Sequence, residues 1–169
     1  MFGDLEKSRL VAYSAACIAL IAVGSWISIP FFPVPLTLQT FFVLITGVVM
    51  KRSAVIPVTL YVLLGAAGLP VFHNGIAGLG VLLGPSGGYL LGFIPAALVA
   101  GYAYEYRSNV IHGIGLSIAA AIILLSGTAW LGYSTGMVPV AALMVGCVPF
   151  IIGDAIKVSA VYLISQRLP

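Results

Sequence analysis

The chain has 169 residues, of which 62% are hydrophobic and only 7% are charged, and its mean hydropathy is +1.20. One soluble core of this size cannot bury so many apolar side chains, so the composition excludes a soluble globular domain and predicts an integral membrane protein in a lipid bilayer. The formal net charge of +3 comes from dispersed basic residues. That dispersal excludes the basic, aromatic-interleaved surface of a nucleic-acid-binding protein.

Charged residues separate the chain into long apolar stretches. They occur in small clusters at residues 4–9, 51–52, 105–107, 154–157 and 167. One crossing of the roughly 30 Å bilayer core takes about 20 helical residues. The uncharged intervals are longer than that, at 10–50, 53–104 and 108–153. Each interval therefore crosses the bilayer and returns, and Gly and Pro mark the reversals.

The sequence accordingly predicts an all-α integral membrane protein with six transmembrane helices in a single domain, 1–169. The approximate spans are 10–29, 36–50, 53–68, 86–104, 109–131 and 149–167. Pro149 favours the start of the last span, because proline is tolerated in the first turn of a helix and disruptive in its interior. The apolar segment between Gly132 and Pro149 is then a short helix that precedes it.

The basic residues predict the orientation. All but one lie at the same set of span ends, at Lys7, Arg9, Lys51, Arg52, Arg107 and Arg167. Because cytoplasmic loops carry an excess of Lys and Arg, both termini are expected to be cytoplasmic. The three Gly/Pro-rich connections are then expected outside, in a multi-pass protein of the cell membrane.

Asp154 and Lys157 are the only charged residues between Arg107 and Arg167. Their spacing of three residues puts them on one face of a helix. Insertion scales give a cost of about 2.5 to 3.5 kcal/mol for each charged side chain at the centre of a membrane helix. We therefore expect the pair to mark a polar interior site that opens to the outside. The alternative is an internal ion pair in a structural or assembly subunit without a ligand.

The long outer connection from Gly68 to Tyr89 is too apolar for a solvated linker and too Gly-rich for a stable helix. It is long enough to fold over a site as a lid, and its glycines let backbone amides approach a ligand. Asn74, Ser86 and Tyr89 can add hydrogen bonds, with the Tyr89 ring as an apolar wall. The alternative is a loop packed against the bundle, with glycines that serve turns.

Three polar residues, Thr37, Gln39 and Thr40, stand at the outer start of the second span. They either line the same cavity or cap the helix.

The first span contains two overlapping pairs of alanines with small-xxx-small spacing, formed by Ala12, Ala15, Ala16 and Ala19. Such pairs let a second transmembrane helix approach closely. The pattern fits both an interface with a partner protein and packing inside the bundle.

The sequence motifs do not indicate an enzyme. A G-x-x-x-x-G-K-[ST] phosphate loop is absent from the chain. Gly153-Asp154 is similar to an intramembrane aspartyl protease motif, but that chemistry needs two carboxylates, and no second buried acid is available. His73 and His112 fall at opposite sides of the predicted membrane, so no metal site is expected.

Several segments together resemble the BioY family, the biotin-binding S components of energy-coupling-factor (ECF) transporters. The segments are PVPLTLQTF at 33–41, GLPVF at 68–72, GLGVLLGPSGGYLLGF at 78–93 and PFIIGDAIK at 149–157. The resemblance implies a six-helix S-component fold that captures biotin from outside. It also implies association with a transmembrane coupling subunit and two cytoplasmic ATPase subunits. Biotin would be the transported ligand, and no cofactor is implied.

The resemblance also carries over site residues. It assigns the ligand site to Asp154 and Lys157 in the Gly-Asp-x-x-Lys element and to the element from Gly84 to Tyr89, which includes Ser86 and Gly87. Gln39 and Asn74 complete the candidate site, and the alanines of the first span become the surface that contacts the coupling subunit.

Biotin has two ureido N–H donors, a carbonyl acceptor and an apolar chain that ends in a carboxylate. Asp154 can accept from the N–H groups, Lys157 can meet the carbonyl, and loop amides or Asn74 can take the carboxylate. An S component for another small vitamin is the nearer alternative.

Overall fold

The computed structural model describes residues 2–168, so Met1 and Pro169, the ends of the predicted domain, lie outside it. The described chain is mostly helical. Its α-helices are, in order, α1 (Phe2–Trp26), α2 (Gln39–Met50), α3 (Val55–Ala66), α4 (Leu79–Leu83), α5 (Gly87–Ala103), α6 (Asn109–Thr135), α7 (Pro139–Gly146) and α8 (Val148–Ser165). Short 3₁₀-helices cover Lys51–Ala54 and His73–Gly75.

The membrane character predicted from composition agrees with the helices. Long helical segments with enough apolar residues to cross a bilayer cover Glu6–Trp26, Gln39–Ala66, Asn109–Thr135 and Val148–Ser165. The apolar helix α5 is shorter. Pro149 lies in the first turn of α8, and the segment before it forms the short helix α7, both as predicted.

The segment Gln39–Ala66 is two antiparallel helices and not one continuous rod. Gln39, at the start of α2, donates a hydrogen bond from Nε2 to the hydroxyl of Tyr61 in α3. In one straight helix these residues would be about 33 Å apart at 1.5 Å per residue. The chain reverses at Lys51, whose φ of 53° ends α2.

The predicted basic clusters lie at one end of the bundle. Arg52 Nε is 2.5 Å from Glu105 Oε2, and the Tyr104 hydroxyl donates to Ser165 Oγ at 2.7 Å. These contacts join the α2–α3 turn, the end of α5 and the end of α8. At the opposite end, the Leu38 amide donates to Gly24 O at 3.1 Å, which places the C-terminal end of α1 beside the start of α2. The N-terminal end of α1 therefore lies on the side of Arg52.

Some element boundaries differ from the prediction. α1 begins at Phe2 and not at residue 10, because its first turns project from the bundle, where residues 6–10 are exposed and their charged side chains stay solvated. The all-α prediction missed a small antiparallel pairing of β1 (Ser28–Ile29) with β2 (Leu36–Thr37). The segment between the two strands contains Pro30, Pro33 and Pro35 and bends at residues 32–34, where the chain reverses.

The long connection contains a helix that the sequence argument excluded. α4 occupies Leu79–Leu83, bounded by Gly78 with a φ of 99° and by Gly84 in an extended conformation. The glycines were expected to prevent a helix, yet α4 forms with Gly80 inside it and with Gly78 and Gly84 at its two ends. α4 packs on the N-terminal part of α5.

Small residues let the helices around α5 approach closely. Ala96, Ala97 and Ala100 of α5 are fully buried, and a Cβ at Gly47 of α2 would lie 2.7 Å from the Ala100 Cβ. In a bilayer, where lipid tails are as apolar as the side chains, such close packing drives helix association. α5 thus packs against α2, α3 and α6, and of these α2 and α6 border the site described below.

A methyl group added at Gly127 of α6 should destabilise the bundle. A Cβ there would overlap the ring of Tyr89 in α5, and overpacking of this kind costs about 1–3 kcal/mol. Gly113→Ala in the same helix is the matched control, because its Cβ would lie 3.8 Å from Tyr162 Cε2 in ordinary contact. Thermal unfolding in detergent should give a lower midpoint for Gly127→Ala only. Equal midpoints for the two variants would contradict this packing.

Candidate ligand-binding site

A cavity lies among α2, α5, α6 and α8, beneath the hairpin and the long loop. Its volume of about 40 Å³ is room for a few water molecules. The apolar side chains of its lining are Val34, Pro35, Leu90, Phe93, Ile123, Leu124 and Phe150. The polar and aromatic ones are Thr37, Gln39, Thr40, His73, Ser86, Tyr89, Asp154 and Lys157. Mostly apolar walls with a few convergent polar groups are typical of small-molecule sites.

The predicted charged pair forms the polar part of this cavity. Lys157 Nζ lies 3.0 Å from Asp154 Oδ1, and the two side chains are only 13% and 11% exposed. Lys157 also donates to Thr40 Oγ1 of α2 at 2.7 Å. α8 supplies both charges from one face because they are three residues apart, as the spacing predicts.

The pair makes the cavity electrically balanced. Asp154 and Lys157 are the only acid and the only Lys or Arg in its lining. A buried charge without a partner is costly, and here the two opposite charges lie together. Such a site suits a neutral polar group that both donates and accepts hydrogen bonds. A phosphate group would be repelled by the Asp154 carboxylate, and a fixed cation would be repelled by the Lys157 ammonium group.

Tyr89 contributes an aromatic ring to the cavity lining. Its ring stacks on Phe150 with centroids 5.7 Å apart and planes at 26°. Its hydroxyl donates to the Gly146 carbonyl at 2.5 Å, where α7 meets α8. Phe31 of the hairpin meets Phe150 edge-on at 6.5 Å. Tyr89 and Phe150 line the cavity, and Phe31 packs against Phe150 from the hairpin.

Gln39 is almost fully buried and lines the cavity. The alternative of a helix cap applies to Thr37, whose Oγ1 accepts from the Gln39 amide nitrogen at 3.3 Å. Thr37 and Thr40 line the cavity as well. The three polar residues at the start of α2 therefore lie at the cavity together.

The predicted loop residues separate into two groups. Ser86 lines the cavity, whereas the described lining does not include Asn74, Gly84 or Gly87. The amides of Gly84 and Gly87 donate to Gly80 O and Gly84 O within the loop. Asn74 is exposed, and its Oδ1 accepts from Ser28 Oγ at 3.1 Å. In this conformation the described contacts of Asn74, Gly84 and Gly87 stabilise the loop and its contact with the hairpin.

Some lining residues were not identified from the sequence as site residues. His73 was interpreted as a solvent-facing or capping residue of an outer loop in preference to a metal ligand, yet it lines the cavity. Phe150 and Phe93 occur in apolar helices, where an aromatic side chain is typical of ordinary core packing and does not indicate a site. Only the position of Phe150 one turn before Asp154 could have indicated that it shares the cavity.

The alanines of α1 lie on an outer surface. Ala12, Ala15, Ala16 and Ala19 are all exposed. The alternative of packing inside the bundle therefore does not describe them in this structure. The methyl side chains of these alanines are small enough for another helix to approach this surface closely.

Comparison with known proteins identifies the family. A model of the BioY family matches residues 3–169 of the chain. The chain belongs to the BioY family. This confirms the resemblance drawn from the four sequence segments.

Two relatives of this family member cover nearly the same length. It is 45% identical over 158 residues to the biotin transporter BioY of Thermotoga maritima, with 89% of each chain covered. It is 36% identical over 163 residues to the probable biotin transporter BioY of Pyrococcus horikoshii, over 96% of this chain and 97% of that one. Both are transporters by name, in agreement with the prediction that the chain is not an enzyme.

The fold is similar to the crystal structure of the S-component for biotin from an ECF-type ABC transporter. The TM-score is 0.85 at 27% identity, over 96% of this chain and 91% of that chain. The S-component architecture expected from the sequence is therefore shared at the level of the whole fold.

The stability of the folded chain should fall on the acid side through His73. Burial lowers the pKa of His73 below its ordinary value of 6.5. Below about pH 6.5 the unfolded chain binds this proton while the folded chain resists it, so stability decreases as pH falls. Thermal unfolding at pH 7.5 and 5.5 should show a larger decrease in the wild type than in His73→Gln.

His112→Gln is the control for that comparison, because His112 lies at the other end of the bundle, stacked on Tyr104. An acid-side decrease as large in His73→Gln as in the wild type would assign the effect to other groups.

Proposed function

We propose that this chain is the biotin-capturing S component of an ECF transporter. It binds biotin from outside and delivers it to the cytoplasm together with an energising module. The observation that carries the proposal is the balanced Asp154–Lys157 pair in an otherwise largely apolar cavity, in a chain whose relatives are named biotin transporters. Biotin is the ligand in this proposal, and no cofactor takes part.

The chemistry of the pair fits the bicyclic head of biotin. Asp154 accepts from the ureido N–H groups, and Lys157 donates to the ureido carbonyl while it stays paired with Asp154. Ser86 and Gln39 add polar contacts. Tyr89 and Phe150 cover the apolar ring. Gly84, Gly87 and Asn74 act in this proposal through the loop that closes over the ligand.

Binding requires the cavity to open. A volume of about 40 Å³ lies far below the ~300–1,000 Å³ of typical ligand pockets. The hairpin and the long loop cover the cavity and meet at the Ser28–Asn74 hydrogen bond. We infer that they separate to admit the ligand and close again over it, as lids do.

We further infer six crossings of the cell membrane with both termini in the cytoplasm. The reversal between α2 and α3 supports the count, because these helices of 12 residues each run side by side as separate elements. At 1.5 Å per residue each is about 18 Å long. The flanking segments complete each crossing. The basic clusters at one end then face the cytoplasm.

The partners in this proposal are a transmembrane coupling subunit and two cytoplasmic ATPase subunits. The exposed alanine face of α1 fits close approach by a helix of the coupling subunit. ATP hydrolysis by the partners would supply the energy to reorient the loaded S component. The chain itself carries no phosphate loop.

Replacing either charge of the pair should weaken biotin binding. Asp154→Asn and Lys157→Met each remove a charged hydrogen-bond partner, worth about 1.5–3 kcal/mol or roughly a 10- to 100-fold loss of affinity. Isothermal titration calorimetry in detergent measures it, with thiamin and riboflavin as selectivity controls. Arg52→Met and Glu105→Gln break the exposed pair at the other end and should leave affinity unchanged.

Wild-type affinity in both Asp154→Asn and Lys157→Met would remove the pair from the ligand site. Absence of biotin binding to the folded wild type would refute the ligand assignment, and a screen of other vitamins would follow. A folded chain that binds none of them would support a structural subunit with an internal ion pair.

Bulky side chains on the alanine face should block assembly without affecting biotin. Ala12→Leu combined with Ala16→Leu prevents close helix approach, so co-purification with the coupling subunit and ATPases should be lost. Biotin affinity should stay at the wild-type value. Ala129→Leu, at an exposed alanine of α6, is the matched control. Full assembly of the double variant would exclude this face as the interface.

A further inference from the structure

A chain of hydrogen bonds leads from the cavity to the long loop. Gln39 donates from Nε2 to the Tyr61 hydroxyl, which donates to the carbonyl of Val71 at 2.7 Å. The Ser25 hydroxyl of α1 lies 2.8 Å from the same carbonyl and 2.6 Å from Ala22 O, so its one proton is shared between these two acceptors. Tyr61 thus stands between a side chain that lines the cavity and the backbone of the loop.

The direction of these bonds fixes the orientation of the Gln39 amide. The Val71 carbonyl can only accept, so the proton between it and the Tyr61 oxygen belongs to Tyr61. Without that proton two oxygens would face each other at 2.7 Å. Having given its only proton to Val71, the Tyr61 oxygen must accept from Gln39. The N–H side of the amide is therefore turned to Tyr61.

The carbonyl oxygen of Gln39 is turned the other way. Its Oε1 lies 3.4 Å from Thr37 Oγ1, a residue that lines the cavity. The next residue, Thr40, accepts from Lys157 Nζ at 2.7 Å. The start of α2, which carries Gln39, therefore borders the polar part of the cavity that Asp154 and Lys157 form.

Tyr61 is held firmly enough to impose this orientation. It is fully buried, and so is Phe72, the residue after Val71. Their rings meet edge-on with centroids 5.7 Å apart. A Cβ at Gly65, one turn further along α3, would overlap the Phe72 ring. The phenol therefore cannot turn away without disturbing α3 and the loop.

We propose that Tyr61 is a positioning residue for ligand binding: it holds the Gln39 amide so that its carbonyl oxygen faces the cavity as a hydrogen-bond acceptor. This rests on the proposed function. Biotin presents two N–H donors on one ring, and the cavity then offers two acceptors, the Asp154 carboxylate and Gln39 Oε1. Without the Tyr61 oxygen the Gln39 NH₂ group would lose its acceptor and turn to Thr37 Oγ1, where it opposes an N–H donor of the ligand.

The test compares Tyr61→Phe with Gln39→Leu and with the double variant, measured as biotin affinity by calorimetry in detergent. Tyr61→Phe keeps the ring and removes the hydroxyl. Each single variant should weaken binding about tenfold, the equivalent of one buried hydrogen bond. The double variant should be no weaker than Gln39→Leu alone, because Tyr61 acts through Gln39.

Ser25→Ala is the matched control. It removes the other donor to the Val71 carbonyl and leaves Gln39 and Tyr61 in place, so affinity should stay within about twofold, too small for a lost hydrogen bond. A loss in Ser25→Ala equal to that in Tyr61→Phe would assign the effect to the loop anchor and overturn the proposal.

The remaining outcomes are equally decisive. Biotin binding by the wild type with unchanged affinity in Tyr61→Phe overturns the positioning role and leaves the proposed function intact. Additive losses in the double variant make Tyr61 a structural residue only. If Tyr61→Phe does not fold, Gln39→Leu alone decides, since affinity within about twofold of the wild type would show that the acceptor is not used. A folded wild type that does not bind biotin refutes the proposed function instead.

Discussion

The buried pair of Asp154 and Lys157 is the constraint on which the arrangement of the bundle depends. Two charges inside a membrane protein persist only when each has a partner and further hydrogen bonds. α8 provides both charges, but Lys157 needs Thr40 of α2 for a second acceptor. α2 must therefore lie beside α8 at this depth. The cavity is the space that remains where α5 and α6 close the other sides.

Small residues and aromatic rings together form one wall of that space. Gly127 leaves room for the Tyr89 ring, and Gly146 receives its hydroxyl. The stack of Tyr89 on Phe150 then forms a wall one turn from Asp154. A larger residue at either glycine would push the wall into the cavity. The packing of the bundle and the shape of the cavity are consequently set by the same contacts.

The sequence was most informative where one residue type has a strong energetic preference. The apolar stretches predicted the long helices, and Pro149 predicted the start of α8. The isolated charges predicted the polar site. Whether a loop residue faces a ligand depends on tertiary contacts, which the sequence pattern does not predict. In the structure Asn74 contacts the hairpin, and the amides of Gly84 and Gly87 form hydrogen bonds inside the loop. The role of Tyr61 could not be predicted from the sequence, because a tyrosine in an apolar helix is typical of ordinary packing. Only the structure shows that its hydroxyl donates to the Val71 carbonyl.

The loop over the cavity has one anchored part and one exposed part. Val71 and Phe72 are bound to α1 and α3 by Ser25, Tyr61 and the buried Phe72 ring. Beyond them, Gly75 and Gly78 have positive φ values of 71° and 99°. Ile76, Leu79 and Leu83 are exposed, so few buried contacts oppose movement there.

Opening of the exposed part can therefore admit a ligand while the anchored part keeps the acceptor of Gln39 in place. In this arrangement the same backbone segment covers the cavity and orients a group inside it. Breaking the Asn74 contact with the hairpin disturbs only the cover. Breaking the Tyr61 contact disturbs recognition as well, because Gln39 loses the partner that turns its carbonyl toward the ligand.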